Sequence, residues 1–149
     1  MKVYINRQPV VGPWGGGNKS LTELCKQVTN AGHELVYNLN HDNIDLMFCF
    51  DPRPNSRGEW YQHMLNYKHQ YGVPIVQRVG DCGTHSKPEL YRLVKEAVRH
   101  SDFIIFPSEW SRQVINYSGQ NYKIIPNAPL PVFHKFKTKT NNNTKIKSI

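Results

Sequence analysis

The sequence predicts an α/β fold, a three-layer sandwich built around a mainly parallel sheet. Three observations predict it. Short apolar runs alternate with amphipathic stretches of helical spacing from residue 2 to residue 125. The run at 44–50, Ile-Asp-Leu-Met-Phe-Cys-Phe, is nearly continuous in apolar residues, as in a parallel strand buried on both faces. Glycine and proline fall between the runs, and 149 residues suffice for a single core.

Residues 2–6 (Lys-Val-Tyr-Ile-Asn) are β-rich and apolar enough for a first buried strand. A glycine loop follows, Gly12-Pro13-Trp14-Gly15-Gly16-Gly17-Asn18-Lys19-Ser20, and then a helix on which Leu21, Leu24, Cys25, Val28 and Ala31 share a face. Gly32 is placed to cap that helix. Residues 33–37 form a second strand and 38–43 a polar turn. The strand at 44–50 stops at Asp51-Pro52-Arg53-Pro54-Asn55, where two prolines forbid its continuation. A helix is expected over 59–71, bounded by Gly72, and a strand over 73–79. After the polar loop at 80–85, Ser86-Lys87-Pro88-Glu89 reads as a capping box with serine at the N-cap. The helix it opens buries Leu90, Leu93, Val94 and Ala97 and runs to about His100. A strand over 102–106, a short helix capped by Ser108 and reaching about Tyr117, a last strand over 122–125 and an extended exit at 126–131 complete the pattern. No internal repeat is evident.

Composition excludes some functions. No apolar run approaches the length needed to span a membrane. Met1-Lys2 leads directly into the first strand, so no secretory signal is read. Cys25, Cys49 and Cys82 are odd in number and sit in or beside regular elements, as expected of reduced cysteines in a cytoplasmic protein. The net charge is +8, but five of the 19 basic residues are Lys135, Lys137, Lys139, Lys145 and Lys147. The preceding residues therefore hold 14 basic against all 11 acidic residues, a net of +3. The basicity belongs to a tail, read first as solvated chain, with contact at an anionic inner-membrane surface as the alternative and no specific nucleic-acid partner. The chain divides at about residue 136, and 137–149 read as a basic tail or as a linker to a missing second domain.

A strand, a glycine loop and a helix together place backbone N–H groups at an anion, usually a phosphate. Four readings compete for this loop. Gly12 and Gly17 have the spacing of an NTPase phosphate loop, yet Asn18 separates Gly17 from Lys19 and would displace the lysine and hydroxyl. The G-x-G-x-x-G dinucleotide pattern is absent, and Glu34 or Asp42 are unconvincing ribose partners. A plain connection with no ligand is the bland reading, and a loop facing a sugar-nucleotide or its acceptor is the remaining one.

Ligands of open parallel sheets collect outside the carboxyl ends of the strands. The loops there offer Arg53, Arg57, Arg78, Asp81, His85, Ser108 and Glu109, a set suited to a phosphate- or sugar-bearing ligand. Each has a plainer reading: Asp81 as a turn cap, His85 as a surface residue. Cys82 and His85 make half of a zinc spacing that no second pair completes, and His63 and His69 have no ligand spacing, so no metal is expected. Trp14, Trp60 and Trp110 could stack on a sugar or base, though packing is the default for tryptophan.

The order of these pieces resembles the N-terminal domain of family-4 glycosyltransferases of the GT-B fold. The resemblance rests on the Lys-Val-Tyr-Ile-Asn strand, Gly15-Gly16-Gly17, the helix ending Ala31-Gly32-His33-Glu34 and the apolar strand at 44–50. It continues with Val73-Pro74-Ile75-Val76, with Phe103-Ile104-Ile105-Phe106-Pro107-Ser108-Glu109-Trp110-Ser111, and with Lys123-Ile124-Ile125-Pro126-Asn127-Ala128 through Phe133. It covers about residues 1–136. Ala128 stands where the family has glycine, and the family's glutamate-rich donor motif has no counterpart here.

The resemblance implies a Rossmann-like acceptor-side half. Gly15, Gly16 and Gly17 would face the phosphates of a nucleotide-sugar donor, and Asp81 would sit beside the reacting sugar as the catalytic residue. Arg78, His85, Ser108 and Glu109 are acceptor-side candidates. It also implies a sugar-bearing, lipid or other acceptor, a C-terminal GT-B domain or partner subunit, and no required metal or other cofactor. With half the cleft missing, the 149-residue chain alone is expected to transfer sugar weakly or not at all. A stand-alone phosphate- or sugar-binding module, or a subunit completing another protein's site, is the non-enzymatic alternative, and an NTPase is the third.

Overall fold

The computed structural model describes residues 1–12 and 15–127. In chain order the elements are β1 (Lys2–Ile5), α1 (Gly16–Asn30), β2 (Glu34–Val36), β3 (Leu46–Cys49), α2 (Tyr61–Tyr71), β4 (Ile75–Arg78), α3 (Pro88–His100), β5 (Phe103–Phe106), α4 (Glu109–Ile115) and β6 (Tyr122–Ile124). The six strands form one sheet in the order β2-β1-β3-β4-β5-β6, and all five pairings are parallel. The chain thus has the expected α/β, Rossmann-like three-layer fold, with the sheet parallel throughout rather than mainly so. Trp14, the Ala128 and Phe133 matches and the tail at 137–149 lie outside the described residues.

The order reverses between β1 and β3, and that reversal sets the layers. On one face Leu21 and Cys25 of α1 pack on Val3, Ile5 and Phe48. On the other, Tyr61, Met64 and Tyr67 of α2 cover Tyr4, Met47, Cys49 and Ile75. Leu90, Val94 and Val98 of α3, with Ile115 of α4, cover Val79, Ile104 and Phe106. Among the described residues one helix therefore serves one face and three serve the other. Along β4 and β5 the consequence is visible residue by residue. Ile75, Gln77, Ile104 and Phe106 on the α2–α4 side are buried, whereas Val76, Arg78 and Ile105 on the α1 side are only half-buried and Phe103 is 37% exposed. Among the described residues no helix is long and apolar enough to cross a membrane.

Four local expectations need correction. Residues 12–20 are not all loop, because α1 begins at Gly16 and takes in Gly17, Asn18, Lys19 and Ser20. Ser86 does not cap α3: it sits at φ 55°, Lys87 is the N-cap, and no side chain caps the turn. Pro88 decides this, since its fixed φ and missing N–H suit the first helical position and make its predecessor the cap. Helix α2 starts at Tyr61, not Glu59, with the His63 ring accepting the Trp60 N–H at 3.3 Å. Helix α4 ends at Ile115, where Asn116 turns left-handed at φ 58°. The Ser108 cap is as expected, accepting the Ser111 N–H at 3.2 Å.

Candidate ligand-binding site

In this strand order the crevice available to a ligand opens beyond the carboxyl ends of β1 and β3, where the chain turns to opposite faces. The glycine turn enters α1 there. Gly15 is the N-cap, in extended backbone, and no side chain caps the helix. The N–H groups of Asn18 and Lys19 return to the Gly15 carbonyl at 3.1 and 3.4 Å, while those of Gly16 and Gly17 have no acceptor among the described residues. Asn18 is committed elsewhere. Its amide accepts the Val10 N–H at 2.9 Å and donates to the Val10 carbonyl at 2.8 Å, clamping the two legs of the loop together. The fold itself does not ask for these glycines. None of the three adopts a left-handed φ, and a Cβ built on any of them meets nothing within 4 Å.

Directly after β1 comes Asn6, a residue to which the sequence reading assigned no role. It is fully buried at the end of β1. Its carbonyl oxygen accepts the Phe50 and Asp51 N–H groups at 2.8 and 3.4 Å, and its amide nitrogen donates to the Asp51 carbonyl. The ends of β1 and β3 are stitched together by this one side chain. Asn55 extends the stitch, donating to the Asn6 carbonyl and to Glu59 while accepting the Arg57 and Glu59 N–H groups. Glu59 in turn accepts from Tyr4 at 3.2 Å and from the Leu39 N–H at 2.9 Å. Burial, then the neighbouring Glu59 carboxylate, pushes the Tyr4 phenol well above its usual range, so Tyr4 remains the donor in that bond.

Two arginines of the candidate set are structural. Arg53 pairs with Asp51 through both carboxylate oxygens, and Arg57 donates to the Tyr37 carbonyl at 3.1 Å. Arg7 also holds this loop, donating to the carbonyls of Pro54 and Arg53 at 2.8 and 3.0 Å and lying 3.5 Å from Asp51. Burial works to raise the Asp51 carboxyl, but the hydrogen bonds from Arg53 and the charges of Arg7 and Arg53 more than offset it and leave the group below the ordinary range. A carboxyl lowered on folding stabilises the fold above its unfolded pKa of about 3.9 and loses that contribution as pH falls through the folded value. Asp51→Asn should therefore cost stability at pH 7 and flatten the acid limb below pH ~4 in denaturant titrations at stepped pH. An unchanged acid limb would show that the Arg53 pair contributes nothing.

The remaining candidates divide by their partners. Asp81 accepts the Gly83 N–H at 2.8 Å and pairs with Lys87 at 2.7 Å. The Lys87 hydrogen bond, aided by Gly83, holds its carboxyl below the usual range. It is both a turn cap and an exposed carboxylate. Ser108 caps α4 and Glu109 pairs with Arg112 in the same first turn. His85 is exposed in the turn before α3.

Arg78 stands apart. At the end of β4 it is half-buried, its guanidinium 4.8 Å from the centre of the Phe50 ring, with one N–H donated to Asn127 Oδ1 at 2.9 Å. Burial depresses its pKa. Gly80 leaves room for it, since a Cβ there would lie 3.2 Å from Arg78 Nη1. The guanidinium lies in a groove of about 250 Å³ lined by Ser20, Leu24, Phe48, Phe50, Ile105, Ile125, Pro126 and Asn127. Ser20 is one turn beyond Gly16 and Gly17 on α1, so the groove runs toward the glycine turn. Among the described residues no three of His, Cys, Asp and Glu gather as a metal-binding group.

The structure thus brings Arg78 and the first turns of α1 to one groove, and leaves Ser108 and Glu109 within their own helix turn. Searches against models of known families, curated proteins and solved structures find no match.

Proposed function

We propose that this chain is the acceptor-side half of a glycosyltransferase that takes a sugar from a nucleotide-sugar donor, with a second α/β domain or a partner subunit closing the cleft. One observation carries the reading: α1 opens on glycines that the fold does not require, with no acceptor for the Gly16 and Gly17 N–H groups among the described residues, at the end of the sheet where parallel α/β folds hold ligands. Glycine in a helix costs up to about 1 kcal/mol relative to alanine. A backbone that must approach a diphosphate closely accounts for that cost.

In this reading Gly15, Gly16 and Gly17 meet the donor diphosphate, whose departure is eased by N–H groups aimed at the developing charge. Asp81, its carboxyl held below the usual range by Lys87, is better suited to stabilising an oxocarbenium-like sugar than to removing a proton near neutral pH. Arg78 and His85 belong to the acceptor side, with Ser108 and Glu109 supporting the loop from α4. The nucleotide-sugar enters as substrate, and the proposed chemistry uses no metal. The basic stretch after residue 136 would hold the protein at an anionic membrane surface inside the cell.

The NTPase reading is disfavoured by Asn18, which occupies the position after Gly17 and is tied to Val10. The stand-alone phosphate-binding module shares the glycine turn and differs in transferring nothing. Gly17→Ala tests the common element. It is expected to raise thermal stability by up to about 1 kcal/mol. It should also weaken nucleoside diphosphate binding about tenfold in calorimetric titrations, a loss of about 1.4 kcal/mol. Greater stability with unchanged binding would overturn the phosphate role of the turn. Sugar transfer in the presence of the completing domain separates transferase from binding module.

A further inference from the structure

We propose that the groove at Arg78 is a binding site for a small organic anion, a phosphate or carboxylate carried on a compact apolar or aromatic body. The inference is independent of sugar transfer and of the glycine turn. All 11 Asp and Glu residues of the chain fall within the described residues. None lies within ion-pair distance of Arg78. The undescribed residues contain no Asp or Glu, so no acidic side chain of this chain can neutralise it.

Other arginines held against the body of the protein are satisfied: Arg7 by Asp51 and two carbonyls, Arg112 by Glu109 and the Tyr117 carbonyl. Among the described residues Arg78 has one neutral acceptor, Asn127, for five N–H donors. The guanidinium carbon lies over the Phe50 ring, 4.8 Å from its centre, and a guanidinium can bind an anion through two of its N–H groups at once. A half-buried cation without a counter-charge is costly, and an anion supplied from outside relieves that cost.

The walls define the rest of the ligand. Leu24, Phe48, Ile105 and Ile125 are apolar, and Ile125 is 47% exposed. Among the described residues α1 covers its side of β4 and β5 only in part, leaving Val76, Arg78 and Ile105 half-buried and Phe103 37% exposed. A free inorganic ion would leave these surfaces wet, whereas a short hydrocarbon or ring would cover them. At about 250 Å³ the groove takes a group of roughly ring size.

Titration of the full chain with phenyl phosphate, inorganic phosphate and phenol, followed by backbone amide resonances, tests the proposal. Phenyl phosphate should shift Ser20, Leu24, Arg78 and Ile105 and bind at least tenfold more tightly than either of its halves. Arg78→Ala should abolish that advantage. Asn127→Asp, which places a carboxylate at the position of the present 2.9 Å acceptor, should block binding equally. It should also raise the melting temperature by about 2–4 °C, the scale expected of one new charge pair in a chain of this size. Because Asn127 is exposed, this variant keeps the test valid even if Arg78→Ala misfolds. Equal affinity for inorganic phosphate, shifts mapping outside the groove, or unchanged binding by Asn127→Asp would each overturn the proposal.

Discussion

Gly83→Ala is expected to be among the most damaging single substitutions in the chain, lowering stability by about 2–5 kcal/mol. Two costs combine. Gly83 sits at φ +71°, a conformation that an L side chain adopts only at a penalty. A Cβ there would also lie 2.5 Å from the Tyr91 nitrogen, 2.9 Å from the Lys87 carbonyl oxygen and 3.0 Å from the Leu90 carbonyl carbon. All three are backbone atoms of the first turn of α3, which cannot swing aside as a side chain can. Gly72 supplies the control: it has φ +72° but open space around its Cβ, so Gly72→Ala should cost only about 1 kcal/mol. Urea unfolding of the two variants measures the contrast. Equal midpoints would mean that the loop before α3 yields, and that the close packing at Gly83 does not hold it.

Asn6→Ala is the second large effect, expected at about 2–4 kcal/mol. The substitution removes little apolar surface. It leaves the Phe50 and Asp51 N–H groups and the Asp51 carbonyl without their partner at a buried strand end. Because Asn55 bonds the Asn6 backbone, the loss should spread into 51–59. Hydrogen exchange at the Phe50 amide is the direct readout, with protection falling in step with global stability or faster. Retained protection would show that water replaces the side chain at no cost. Asn6→Asp should be poorly tolerated as well, since it removes the donor to the Asp51 carbonyl and adds a second carboxyl beside Asp51.

The comparison of sequence with structure follows from the range of the forces involved. Every strand and helix was legible, because each is written in the local spacing of apolar residues: Leu21 and Cys25 on α1, Leu90, Val94 and Ala97 on α3. Termini were harder wherever two local signals competed. Ser86 offered a capping box and Pro88 a first helical position, and the proline prevailed because its constraint is covalent. Gly16 and Gly17 resembled loop from composition, yet nothing prevents glycine from taking helical φ and ψ once Asn18 has clamped Val10. The site was least legible. Asn6 and Asp51 are 45 residues apart, as are many partners in a parallel sheet, and no local pattern marks an asparagine as a buried stitch. Arg78 could be nominated by its place after a strand. That it lacks a counter-charge is a property of the whole chain, visible only when every carboxylate has been assigned.

Among the described residues the sheet ends on both sides in strands of three residues, β2 and β6. Each offers little unpaired backbone to a passing chain, and each carries an exposed charge within it, Glu34 on one and Lys123 on the other. Short, charged edges are a recognised defence against edge-to-edge pairing. On the α1 side of β4 and β5 the cover is partial among the described residues, with Phe103 37% exposed and Ile105 half-buried. Self-association of this protein at high concentration should therefore proceed face to face, through Phe103 and Ile105, without lengthening the sheet.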